Sequence, residues 1–111
     1  MIEFFTRLLR RSFTGVSVPK AKELVLFGAT LVDVRTAQEW RTGHVPAAKH
    51  VPLDILLTER AGIRKDRPVV LMCHSGARSA TGARLLAQRG YTAYSLRGGI
   101  TAWRSAGEPI R

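Results

Sequence analysis

A single cysteine, Cys73, heads a short loop of small and polar residues, and this loop has the strongest chemical character in the sequence. The loop consists of Cys73, His74, Ser75, Gly76, Ala77, Arg78 and Ser79. Small residues allow successive backbone N–H groups to turn inward, and a helix that starts at the loop adds its partial positive charge. Both effects favour the thiolate, which is the nucleophilic form of cysteine. The loop is therefore predicted to be an anion cradle around a reactive sulfur.

The elements that flank the loop predict where it lies. An unbroken apolar run over residues 68–72 ends directly before Cys73, as expected of a central parallel strand buried on both faces. A helix follows, with Ala83 and Leu86 on its apolar stripe and Gly90 at its end. In open parallel sheets, ligands bind where the carboxyl ends of strands pass into helices. The loop is thus predicted to occupy a ligand site.

From Val16 onward, short β-like runs alternate with helical stretches, which indicates an α/β domain with a small parallel sheet flanked by helices on both faces. The remaining predicted elements are a helix opened by Pro19 and stopped at Gly28, a strand over 30–34, a short helix over 37–41, a brief strand near 50–51, a helix opened by Pro52 that runs through Leu57, a strand over 93–96, and a helix over 100–106. A chain of 111 residues fits one such domain.

The domain is predicted to span residues 16–111, preceded by an amphipathic extension over residues 1–15. Residues 1–13 place apolar side chains at helical spacing with arginines between them. We expect a helix packed on the domain or a frayed end, with docking to a membrane surface or a partner as alternatives. Glu3 and the arginines interrupt any secretory signal, and no apolar run is long enough to span a bilayer. We therefore expect a cytoplasmic protein without a transmembrane segment.

The net charge of +10 comes from 18 Lys and Arg against 8 Asp and Glu, and such an excess attracts anions. The basic residues are scattered from Arg7 to Arg111, without the blocks or motifs that organise a nucleic-acid surface. A small anionic substrate fits this charge, and no specific nucleic-acid partner is predicted. One cysteine excludes an internal disulfide, and neither a metal site nor a cofactor is expected.

The spacing Cys73-x-Ser75-Gly76-x-Arg78-Ser79 resembles the active-site loop of the rhodanese family. Three further segments agree with the family in order and spacing: Asp33-Val34-Arg35 with Glu39, Gly43-His44-Val45-Pro46-Ala47-Ala48, and Leu96-Arg97-Gly98-Gly99 followed by Trp103. The resemblance covers nearly the whole chain, from Val16 to about Pro109. One departure is Lys49-His50, where the family usually has less polar residues, and it concerns an edge strand rather than the site.

The resemblance implies a rhodanese-like three-layer fold and an enzyme, a thiosulfate sulfurtransferase. Cys73 would take a sulfane sulfur from an anionic donor such as thiosulfate, form a persulfide, and pass the outer sulfur to a thiophilic acceptor. Cyanide, a thiol or a thioredoxin-like protein are candidate acceptors. Substrate contacts are expected from the loop residues that follow Cys73, namely His74, Ser75, Gly76, Ala77, Arg78 and Ser79. The sequence fixes neither the physiological donor and acceptor nor the oligomeric state.

Several roles within this site stay open at the level of sequence. Arg78 either orients the oxyanion end of the donor or locks the loop through carboxylates or carbonyls. His74 either lines the mouth of the pocket or points to solvent. Asp33 and Arg35 are expected to brace the neighbourhood of the loop, as a structural pair.

Two rival functions are less consistent with the loop. Cysteine phosphatases and arsenate reductases typically have five residues between cysteine and arginine, whereas four separate Cys73 from Arg78. A non-catalytic or redox-sensing rhodanese-like binding module is the other alternative. Its usual mark is loss of the cysteine, which is present here.

Overall fold

Five parallel strands form one sheet in this computed structural model, which describes residues 12–111. The strands are β1 (Thr14–Val16), β2 (Thr30–Asp33), β3 (Lys49–His50), β4 (Val69–Met72) and β5 (Ala93–Leu96). Their order across the sheet is β1-β5-β4-β2-β3, and every neighbouring pair is parallel. The central position of β4 explains its unbroken apolar sequence, since all four of its residues are buried.

Helices cover both faces of this sheet. They are α1 (Val18–Leu26), α2 (Ala37–Arg41), α3 (Ala77–Gln88) and α4 (Gly99–Ser105). Alternate β4 side chains enter two separate cores: Val69 and Leu71 pack with residues of α3, and Val70 and Met72 pack with residues of α1 and α4. The predicted α/β architecture, a small parallel sheet between two helical layers, is confirmed.

Capping side chains fix the starts of two of these helices. The Ser17 hydroxyl accepts a hydrogen bond from the Lys20 amide and caps α1. Thr36 and Glu39 form a reciprocal capping box at the start of α2. This capping box holds the Glu39 carboxylate at the carboxyl end of the sheet, which matters for the site described below.

The helix predicted to start at Pro52 is wrong. Two short 3₁₀ turns, Leu53–Ile55 and Glu59–Ala61, occupy this stretch. The Ile55 amide donates to the Pro52 carbonyl three residues back, and Thr58 then adopts an extended conformation that breaks the run. Between the two turns, Leu56 packs in the core beside α3.

The first strand begins earlier than the sequence indicated. β1 includes Thr14 and Gly15, which the sequence analysis placed in the extension over residues 1–15. The amphipathic helix predicted over residues 1–13 falls almost entirely outside the described residues. Between residues 12 and 111, no helix is long and apolar enough to cross a membrane.

Candidate active site

Cys73 lies directly after β4, at the carboxyl edge of the sheet, and only 1% of its surface is exposed. The Gly76 amide donates to its sulfur at 3.0 Å, and the Ser79 amide donates at 3.4 Å. Gly76 has a φ of +117°, a left-handed conformation that favours glycine and turns its N–H toward the sulfur. The loop therefore forms a nest of amides around Cys73, as the sequence predicted.

Two buried serine hydroxyls extend the hydrogen-bond network that begins at the Cys73 sulfur. The Cys73 thiol lies 3.5 Å from the Ser79 hydroxyl oxygen, and that hydroxyl also lies 3.1 Å from the Gly76 carbonyl oxygen. Behind it, the hydroxyl of Ser95 on β5 lies 2.8 Å from that of Ser79. The sequence analysis did not single out Ser95, and its only signal is a polar residue in an otherwise buried strand.

Opposing effects act on the acidity of Cys73. Burial raises the pKa of the thiol, whereas hydrogen bonds from the Ser79 side chain and from the amides of Ser79, Gly76 and Ser75 lower it. The hydrogen bonds outweigh burial, so the pKa of Cys73 lies below its ordinary value. A larger fraction of thiolate at neutral pH follows.

Arg78 binds the carboxylate of Glu39. Its guanidinium donates to both carboxylate oxygens, at 2.6 and 2.8 Å. The Arg78 side chain holds the pKa of Glu39 down at about 2, although burial opposes this effect, and hydrogen bonds from Thr36 lower it further. Of the two roles left open by sequence, this geometry corresponds to a lock between the loop and α2.

Asp33 and Arg35 form a buried pair at the carboxyl end of β2. The Arg35 guanidinium donates to both Asp33 carboxylate oxygens, with distances of 2.8 to 3.1 Å. It also donates to the carbonyls of Glu39 at 3.2 Å and Gly43 at 2.7 Å. The pair therefore ties the end of β2 to α2 and to the turn that follows it, one strand away from Cys73.

The start of α4 holds the backbone of the cysteine loop. The Ile100 amide donates to the Cys73 carbonyl at 2.8 Å, and the Thr101 amide and hydroxyl donate to the His74 carbonyl at 3.3 and 3.1 Å. Gly99 has a φ of +55°, and a Cβ at this position would lie 2.3 Å from the Cys73 carbonyl oxygen. Sequence identified Gly99 as part of a motif and did not predict this close approach of two backbone segments.

The remaining loop residues lie at the surface. His74, Ser75 and Ala77 are exposed, and their side chains are not among those that contact the sulfur. The exposed His74 lines an open depression that Cys73 does not line. The other residues that line this depression are Arg35, Gln38, Glu39, Thr42, Ile100 and Arg104. Among residues 12–111, no three side chains of metal-ligating type are grouped.

The chain is similar to known proteins over most of its length. The family description "Rhodanese-like domain" matches residues 17–106. A sulfurtransferase of Allochromatium vinosum is 44% identical over 81 residues, which are 72% of this chain and 76% of that protein. A thiosulfate sulfurtransferase of Pseudomonas paraeruginosa is 32% identical over 95 residues, which are 85% and 86% of the two chains.

One solved structure shows how far the similarity in fold extends. A rhodanese-related protein from Thermoplasma volcanium has a TM-score of 0.80 to this chain, with 24% identity. The match covers 89% of this chain and 98% of that one. At this identity the likeness concerns the fold alone.

Proposed function

The chain belongs to the rhodanese-like domain family, and on this basis we propose that it is a sulfurtransferase that moves a sulfane sulfur from an anionic donor such as thiosulfate to a thiophilic acceptor. Cys73 is the proposed carrier of the sulfur. The observation that carries the proposal is the buried Cys73 sulfur, which accepts hydrogen bonds from the Gly76 and Ser79 amides. The names of the relatives described above support the same class of reaction.

In the first half-reaction, the Cys73 thiolate attacks the outer sulfur of thiosulfate. A new S–S bond forms on Cys73, and the S–S bond of thiosulfate breaks with its electron pair leaving on sulfite. The products are a persulfide anion and sulfite, so atoms and charge balance. Because the donor is itself an anion, the amides of the loop offset the repulsion between the two reactants. The same amides are proposed to bind the terminal sulfur of the persulfide.

In the second half-reaction, the acceptor attacks that terminal sulfur. The S–S bond breaks, and its electron pair returns to Cys73 as the thiolate. With cyanide the product is thiocyanate, and with a thiolate the product is a persulfide of the acceptor. A lowered pKa of Cys73 assists this step, because a weaker base is a better leaving group.

The other residues are proposed to position the loop. Arg78, paired with Glu39, would keep the loop against α2 rather than bind the donor directly. Arg35, held by Asp33, would position α2 through its hydrogen bond to the Glu39 carbonyl. His74, whose side chain is exposed next to Cys73 in the chain, would meet incoming donors, while its backbone carbonyl is held by Thr101.

Purified protein incubated with thiosulfate should gain the mass of one sulfur atom. Addition of cyanide should then remove that mass and release thiocyanate. The change Cys73→Ala should abolish both signals, because no second cysteine exists to carry the sulfur. Mass spectrometry and a colorimetric thiocyanate assay make the two measurements.

Ser105→Ala, a substitution at the exposed end of α4, is a suitable control that should retain both signals. An intact, folded protein that gains no sulfur from thiosulfate or from a low-molecular-weight persulfide would exclude the proposed reaction. It would favour a binding module with the same fold. Turnover that survives Cys73→Ala would exclude Cys73 as the carrier.

A further inference from the structure

Ser95 lies on β5, 16 positions from Ser79 along the chain, yet their hydroxyl oxygens are 2.8 Å apart in the interior. Ser95 is 4% exposed and Ser79 is fully buried. A hydroxyl in such a place is costly unless it makes a hydrogen bond. The hydrogen bond between Ser95 and Ser79 therefore offsets the cost of burying the Ser95 hydroxyl.

The direction of this hydrogen bond follows from the available acceptors. Within residues 12–111, the only hydrogen-bond partner of the Ser95 hydroxyl is the Ser79 oxygen. A buried hydroxyl donates when an acceptor is in reach, so Ser95 donates to Ser79. The Ser79 hydrogen is then left for one of two acceptors, the Gly76 carbonyl at 3.1 Å or the Cys73 sulfur at 3.5 Å.

The charge on Cys73 decides between these acceptors. A neutral thiol is a weak acceptor, so in that state the Ser79 hydroxyl donates to the Gly76 carbonyl. A thiolate is an anion, and hydrogen bonds to ions are about twice as strong as those between neutral groups. The Ser79 hydroxyl then turns to the sulfur, and Ser95 supports it from behind by donating to its oxygen. A chain of hydroxyls polarises in this way because each bond strengthens the next.

We propose that Ser95 is a positioning residue for the sulfur-transfer site, which acts through Ser79 to stabilise the thiolate of Cys73 relative to both the thiol and the persulfide. This inference rests on the proposed function. In the persulfide, the charge lies on the outer sulfur and the inner sulfur is neutral. The Ser95–Ser79 chain therefore favours the state in which the sulfur has left, and it speeds transfer to the acceptor.

The thiolate of Cys73 can be titrated directly by its ultraviolet absorbance, with Cys73→Ala as the blank. In Ser95→Ala, the titration midpoint should move to higher pH, and the thiolate fraction below the midpoint should fall about two- to fourfold, as for the loss of part of one hydrogen bond. In a single turnover, transfer of sulfur from the loaded protein to cyanide should slow by a similar factor. Tyr94→Phe removes a hydroxyl from the opposite face of β5 and should leave the midpoint in place.

A double-mutant cycle tests whether Ser95 acts through Ser79. In a Ser79→Ala background, Ser95→Ala should have no further effect on the midpoint. The isosteric pair Ser95→Thr and Ser95→Val separates the hydroxyl from its volume, and the threonine variant should lie closer to wild type. This pair decides the matter if Ser95→Ala does not fold.

An unchanged midpoint in folded Ser95→Ala, or equal midpoints for the threonine and valine variants, would overturn the proposal. Additive effects of Ser79→Ala and Ser95→Ala would do the same. The titration needs no turnover, so it reports on Ser95 even if the protein fails to transfer sulfur from thiosulfate. Failure of the proposed function and failure of this inference are thus separate results.

Discussion

Glu39 and Arg78 join two segments that lie 39 positions apart in the chain, and both side chains are about one-third exposed. Such a pair is worth more than a typical surface ion pair, because the guanidinium binds both carboxylate oxygens and Glu39 is already fixed by the capping box. At the scale of the residue, this geometry supports the proposal that Arg78 acts as a structural clamp.

The lowered pKa of Glu39 makes this clamp dependent on pH. A carboxylate whose pKa falls from 4.5 to about 2 on folding stabilises the native state fully above pH 4.5, and the contribution is lost as pH falls toward about 2. Chemical denaturation of wild type and Glu39→Gln across this range should show a difference in unfolding free energy that shrinks toward zero at the acid end. The wild type should be the more stable protein above pH 4.5.

Asp66→Asn provides the matched control for this prediction. Asp66 also pairs with an arginine, Arg64, but both side chains are about 60% exposed. Solvent screens an exposed pair, so its removal should change stability less than removal of the Glu39 carboxylate. A Glu39→Gln effect that is constant with pH, or no larger than that of Asp66→Asn, would argue against the clamp.

Sequence alone predicted the amides around Cys73 but only part of its other surroundings. The amides that bind Cys73 come from the next six residues, so small residue types and the start of a helix were enough to predict them. Glu39 and Ser95 come from other elements, and their contact with the loop depends on how those elements pack. A sequence motif identifies Glu39 as a residue typical of the family, but it does not show that Glu39 pairs with Arg78.

At the scale of the element, α4 holds the cysteine loop, and Gly99 makes this contact possible. In Gly99→Ala, the added Cβ would meet the Cys73 carbonyl oxygen at 2.3 Å and the His74 carbonyl oxygen at 2.6 Å. Backbone atoms cannot yield as side chains do, so the loop or α4 must shift. We expect a loss of about 2–4 kcal/mol in unfolding free energy and a loss of most sulfur transfer.

Gly107→Ala separates the clash from simple backbone strain. Gly107 also has a positive φ, +78°, but a Cβ there would have no atom within 4 Å. Gly107→Ala should lower the unfolding free energy by about 1–2 kcal/mol, which is the strain of an alanine in the left-handed conformation, and should leave activity intact. Differential scanning calorimetry and the thiocyanate assay make the comparison. Equal effects of the two substitutions would show that the close approach at Gly99 is unimportant.

Prediction of the elements succeeded where sequence signals are local. The bounds of α2 and β5 were predicted residue by residue, since a capping box opens the first and an apolar run between turns defines the second. The stretch after Pro52 was predicted wrongly because the spacing of its apolar residues is compatible with either a helix or a pair of 3₁₀ turns. Only packing against α3 distinguishes the two.

At the scale of the whole molecule, the net charge of +10 should act on the donor before it reaches the site. A positive field concentrates an anionic substrate near the protein, and salt screens this field over about 10 Å at 0.1 M. The KM for thiosulfate should therefore rise with ionic strength, while kcat changes little because the reacting atoms are buried. Steady-state assays in sodium chloride, with an uncharged acceptor held constant, test this prediction. A KM independent of salt would assign the charge another purpose.

The near-complete burial of Cys73 selects donors by molecular shape. Because only 1% of the Cys73 surface is exposed, a narrow atom that arrives end-on should reach its sulfur most readily. A sulfane sulfur, as in thiosulfate or a persulfide, is such a terminal atom, because it is bonded on one side only. Each sulfur of an ordinary disulfide also carries a carbon substituent, which adds bulk beside the reacting atom. If Cys73 carries sulfur as proposed, its burial should select the end of a sulfur chain and protect the thiol from exchange with disulfides.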